Sequence, residues 1–209
     1  GFFGFLGACL IYPAPMAGST ADAGWLTIYG GPATLSSFAF NTLMSFGGGI
    51  IGAYFITKDP FWMMSGALAG IFCAAAGLDL WYPGTAFALG FLGGVVIPYS
   101  HKMITSWGID DAVGAVSVHG TCGLIGVLAV GVLLGGYPAV GEGEPISFIG
   151  QLVGAIAMGL GGFIPGYVVS WILKKCGILR TSDKVQEVGV DAEVPVPAYP
   201  ESMQSRDYS

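Results

Sequence analysis

Five stretches of this chain each stay apolar for about the 20 residues that a helix needs to cross a bilayer. They run roughly from Ser37 to Thr57, Phe61 to Leu78, Thr85 to Ile104, Ala112 to Leu134 and Phe148 to Leu173, after a shorter stretch, Gly1 to Ile11, closed by Pro13 and Pro15. The segments between them hold helix breakers: Lys58-Asp59-Pro60, Tyr82-Pro83-Gly84, Gly108-Ile109-Asp110-Asp111 and Gly135-Gly136-Tyr137-Pro138. Long apolar runs separated by short polar breaks leave one architecture, an all-α polytopic membrane bundle, because lipid offers backbone amides no partner outside a helix or a closed barrel. A barrel is excluded, since its strands would be about 10 residues of alternating polarity.

The 209 residues are 54% hydrophobic and 10% charged, against about 25% charged in an ordinary soluble domain. That balance excludes a nucleic-acid binder or a disordered chain and argues against a soluble enzyme, because too little polar surface remains to cover a core. The 36 glycines suit a bundle in which helix backbones approach closely. All seven Lys and Arg residues fall in alternate connections or the tail: Lys58, Lys102, Lys174, Lys175, Arg180, Lys184 and Arg206. Basic residues favour the cytoplasmic side, so residues 1–175 are expected as the membrane domain and 176–209 as a cytoplasmic C-terminal tail. Gly1 opens directly into an apolar stretch with no initiator Met or basic segment, which reads as a fragment entered within a helix. Cys9, Cys73, Cys122 and Cys176 form no C-x-x-C pair and are expected as small packing residues.

An ionisable residue inside a membrane helix is a functional candidate, and His119 is the one deep within a run. At 3.6-residue spacing it shares a face with Ala115, Val116, Cys122, Gly123 and Gly126, so its imidazole borders a narrow lumen or a close helix contact. A pore or proton-transfer role, an interhelical hydrogen bond and metal ligation all stay open, the last lacking co-ligands. Asp110 and Asp111 precede the same helix, where free amides favour carboxylate caps. Phe2, Phe3 and Phe5, near Cys9, are expected either as an aromatic gate or cation-π surface or as packing and lipid contact. His101-Lys102 is expected to snorkel at a helix end. No cofactor is called for.

Several of these segments together resemble the ammonium transporter family, the Amt, Mep and Rh proteins. Asp110-Asp111 followed by Val118-His119-Gly120-Thr121-Cys122-Gly123 resembles the segment that opens the family's tenth helix. Ser65-Gly66-Ala67-Leu68-Ala69-Gly70 is similar to its eighth helix, Phe40-Asn41-Thr42 to its seventh and Gly1-Phe2-Phe3-Gly4-Phe5 to its sixth, while Leu179 through Glu201 resembles its tail. The resemblance covers the second half of such a protein, from within helix six through helix eleven.

It implies a homotrimer of eleven-helix subunits built from inverted repeats, each carrying ammonium or ammonia across the bilayer, with a PII-type signal protein as a possible partner at the tail. By the same resemblance His119 is the second of two pore histidines, the first lying upstream of Gly1. Phe5 matches a gate phenylalanine, and Cys9 stands where the family has the serine of its outer recruitment site. This chain departs from the family at Leu6 (Asn), at Cys9, at Ala74-Ala75-Ala76 (Val-Thr-Pro), at Gly114 (often Asp) and at Pro195-Val196-Pro197. The alternative reading is a non-conducting ammonium sensor that signals to a cytoplasmic partner.

Overall fold

A computed structural model describes residues 1–11, 22–137 and 145–188. They form helices α1 (Phe2–Ile11), α2 (Leu35–Thr57), α3 (Pro60–Ala74), α4 (Pro83–Ser106), α5 (Cys122–Leu133), α6 (Phe148–Lys175) and α7 (Asp183–Val188), with a small hairpin of β1 (Asp22–Leu26) and β2 (Pro32–Thr34). Five helical stretches are long and apolar enough to cross a membrane: α2, α3 with the 3₁₀ turn Ala75–Gly77, α4, the π-helical turn Val116–Thr121 with α5, and α6. The described residues divide into two compact units, the second beginning at Met158, with the boundary inside α6. The expected boundary at 175 instead coincides with the last residue of α6.

Local chemistry explains where the helices begin and stop. Thr34 and Ser37 make a reciprocal cap before α2: the Ser37 amide donates to Thr34 Oγ1 at 3.1 Å and the Thr34 amide to Ser37 Oγ at 3.0 Å. Asp59 Oδ1 accepts the Phe61 amide at 2.9 Å, and Pro60 occupies the first helical position, where its missing N–H costs nothing. The buried indole of Trp81 donates to Ala74 O at 2.8 Å, closing α3. Asn41, from the Phe40-Asn41-Thr42 motif, is also buried and donates to Leu78 O at 2.8 Å and Trp81 O at 2.9 Å, which ties α2 to the α3–α4 connection.

Glycines set the spacing of α2, α3 and α4. A Cβ added to Gly66 would meet Gly49 O at 2.6 Å, and one added to Gly49 would collide with Gly66 O. Gly94 faces the Gly49 carbonyl in the same way, so one residue of α2 is pressed between α3 and α4.

The hairpin was not anticipated in the 13–36 connection. Gly30, at φ +78°, makes its turn. The Ile28 amide donates to Leu80 O at 3.0 Å, and Tyr137 Oη donates to Leu26 O at 2.8 Å. The basic-free connections thus gather at one end of the first unit, while Trp62, His101 and Asp111 gather at the other. In the second unit, Lys175 Nζ lies 5.8 Å over the Trp171 ring, and Gly177, at φ +73°, follows the end of α6. Cys73 and Cys122 are buried, but Cys176 is exposed, so it is not the packing residue expected: it lies in the polar turn just past α6. The Cys9 side chain and the tail motif from Gly189 onward lie outside the described residues.

Candidate functional site

The site begins with a carboxylate. Asp111 is buried, and its Oδ1 accepts the Val116 amide at 3.0 Å while its Oδ2 accepts the Ser117 amide at 3.3 Å and hydroxyl at 3.2 Å. Burial works against the charge, but the Val116 and Ser117 amides and the Ser117 hydroxyl outweigh it and hold the carboxyl below its ordinary value, with a smaller contribution from His101. Asp110, expected to share the cap, is exposed; it is Asp111 that accepts the Val116 and Ser117 amides. Gly114, at φ +72°, reverses the chain between Asp111 and the amides it holds. At this φ an L side chain would be strained.

From this cap the chain rises as a π-helical turn, Val116–Thr121, in which the Cys122 amide reaches Ser117 O, five residues back. At the top of the turn Ser100 Oγ and Thr121 Oγ1 are 2.7 Å apart, tying it to α4. The turn is therefore pinned at both ends. Its extra residue rotates the chain before α5 by about 100° relative to a continuous α-helix. This corrects the face expected for His119: Cys122 and Gly126 are buried, with a Cβ on Gly126 meeting Phe72 O at 2.6 Å. His119 is exposed instead in a stripe with Ala115, Val116, Gly120 and Leu124.

One polar side chain thus stands in an apolar, uncovered stripe. Among the described residues the His119 imidazole makes no hydrogen bond, and its neighbour is Phe72 of α3, edge-on with ring centroids 4.2 Å apart at 68°. Phe2 of α1 meets the same Phe72 ring at 5.2 Å and 78°, giving a row Phe2, Phe72, His119. Phe5 is 71% exposed and lies one helical turn along α1 from Phe2. The sequence did not single out Phe72, although its spacing from Gly66 and Gly70, which pack on α2, put it away from that seam. Nor did it pair His101 with Asp111: His101 Nδ1 lies 3.8 Å from Asp111 Oδ2, and its ring meets Trp62 at 4.9 Å. His101 is thus half-buried against protein and does not snorkel. Among the described residues no three His, Cys, Asp or Glu side chains converge as a metal site would require.

An imidazole can donate, accept or relay a proton near neutral pH, and dry aromatic walls make the entry of an ion costly. Comparison with known proteins identifies the family. The profile described as Ammonium Transporter Family matches residues 16–194. Ammonium transporter Amt2 of Methanocaldococcus jannaschii is 34% identical over 163 residues, which cover 77% of this chain and 38% of that protein. Ammonium transporter Amt2 of Archaeoglobus fulgidus is 31% identical over 202 residues, covering 88% and 42%. Among solved structures, one titled Sensor Amt Protein superimposes with a TM-score of 0.66 at 26% identity, covering 77% of this chain and 42% of that one. The chain therefore spans less than half the length of these relatives.

Proposed function

Because this chain belongs to the ammonium transporter family, we propose that it supplies one wall of a transmembrane pathway for ammonium or ammonia, with His119 as a proton-handling residue on that wall. The observation that carries this reading is the exposed imidazole in an apolar stripe, pinned from both ends and walled by Phe72. A histidine facing lipid would be costly; facing a second repeat across a narrow lumen, it would have work to do. Ammonium and potassium are alike in size and charge, but only ammonium can give up a proton and cross an apolar stretch as a neutral molecule. Phe5 and the position of Cys9, about 6 Å farther along α1 at 1.5 Å per residue, would then lie on the approach to His119. A second histidine upstream of Gly1, a trimeric assembly and a signal-protein contact at the tail complete the proposal.

The decisive experiment measures ammonium uptake, with potassium competition, by the full-length protein carrying His119→Ala, His119→Asn or His119→Glu at matched membrane expression. Loss of selective uptake in Ala and Asn, with partial recovery in Glu, is expected, because a carboxyl can exchange a proton and an amide cannot. Near-normal selective uptake in Ala and Asn would remove His119 from the mechanism. The likeness to a structure titled Sensor Amt Protein favours a second reading, an ammonium sensor. It would show ammonium-dependent conformational change in the wild type without net uptake.

A further inference from the structure

Outside the row of Phe2, Phe72 and His119, one buried polar atom stands unsatisfied beside a charge. His101 Nδ1 is fully buried with no hydrogen-bond partner, 3.8 Å from the carboxylate that anchors the His119 turn. That distance is too long for a hydrogen bond. The neighbouring oxygen, Asp111 Oδ2, is also the more loosely held of the two, with contacts of 3.2 and 3.3 Å to Ser117 against 3.0 Å from Oδ1 to Val116. We propose that His101 is a proton-operated positioning residue for the turn that carries His119.

The chemistry has a direction. A neutral imidazole presents Asp111 with either a lone pair or an N–H out of reach. A protonated one carries an N–H on both nitrogens and a positive charge, so it draws toward Oδ2 and compensates a buried carboxylate that otherwise has only neutral donors. Protonation therefore tightens the anchor, and deprotonation loosens it. The groups facing His101 are Trp62 from α3, Asp111 from the connection and Ser117 from the turn below it, with Lys102 exposed beside it on α4. His101 Nδ1 and Asp111 Oδ2 form an ion pair only when the imidazole is protonated. The edge contact with Trp62 seats the imidazole beside the carboxylate.

Only the consequence for transport rests on the function proposed above, so the test reads the turn itself. Hydrogen exchange of a peptide spanning residues 112–121 is followed in the full-length protein at about pH 6 and about pH 8. Wild type is compared with His101→Gln and with His101→Lys, which carries a permanent charge; His101→Asn serves as a second neutral variant. Comparing variants at one pH cancels the intrinsic pH dependence of exchange.

At about pH 6 the wild type is expected to exchange about two- to fivefold more slowly than the neutral variants, the range expected of a partly exposed ion pair. At about pH 8 the difference should vanish, while the Lys variant stays protected at both. Equal exchange in wild type and the neutral variants at both pH values would overturn the proposal, as would a difference that persists unchanged at about pH 8, which marks a packing role. None of these outcomes requires ammonium to move, so failure of the transport reading would leave them standing.

Discussion

The imidazole of His119 meets the ring of Phe72 edge-on at a centroid distance of 4.2 Å, joining the π-helical turn to α3, the helix that begins at Pro60. This contact fixes where the imidazole stands. Asp111 holds the base of the same turn and the Ser100–Thr121 contact its top, so the ring is positioned by one local cap and by two contacts from other helices.

Phe72→Leu should keep the helix and lose the aromatic edge. An aromatic pair contributes about 0.5–1.5 kcal/mol beyond its buried area, so ammonium flux through the full-length protein is expected to fall about two- to tenfold at unchanged membrane expression. Phe72→Tyr, which keeps the ring, should fall less. Unchanged flux in the Leu variant would show that the contact does not position His119.

Asp111→Asn should weaken the turn. An amide can accept from one backbone N–H but sets its own NH₂ against the other, and loss of a hydrogen bond to a buried charged group costs about 1–3 kcal/mol. The carboxyl of Asp111 is lowered in the folded state, so its stabilisation is fully present above the unfolded carboxyl value of about 3.9 and is lost as pH falls through the lower folded value. Thermal melts of the purified full-length protein should show the variant less stable than wild type at neutral pH, with the gap closing under strong acid. A constant gap would mean that Asp111 acts without titrating.

Gly49→Ala tests the seam. The added Cβ would collide with the Gly66 carbonyl, and overpacking of this kind costs about 1–3 kcal/mol. The purified full-length variant is expected to melt at a lower temperature or to lose its single size-exclusion peak. Gly47→Ala, where the added Cβ meets nothing within 4 Å, is the matched control and should behave as wild type.

The sidedness of the bundle can be read with an impermeant thiol reagent, after replacing the exposed Cys176 by Ser. Tyr82→Cys lies at the end with the hairpin and should label from outside the cell, whereas Lys58→Cys, in a basic connection, should label only after permeabilisation. The opposite pattern would invert the orientation drawn from the basic residues.

How much of this could be read without coordinates differs from one residue to the next. The five apolar stretches and their breakers were legible because helix length in a membrane is set by bilayer thickness, and because Pro60 and Asp59 act on their own neighbours whatever surrounds them. His119 was legible as a candidate for the same local reason, the cost of an imidazole in an apolar run. The hairpin was less so, since strands of five and three residues carry little periodic signal and are held by contacts to Leu80 and Tyr137 far along the chain.

The direction His119 faces was decided by the tertiary structure. Sequence periodicity assumes 3.6 residues per turn, and one extra residue in the turn at Val116–Thr121 breaks that phase, burying Cys122 and leaving the imidazole exposed. The anchors on either side of that turn, Asp111 below and Ser100 above, lie outside it in sequence, and so does the His101 that faces Asp111. The chain alone determined that apolar helices would form and where they would break. Which of their side chains came to share a site depended on how the helices rotated against one another, a property of non-local packing that hydropathy does not encode.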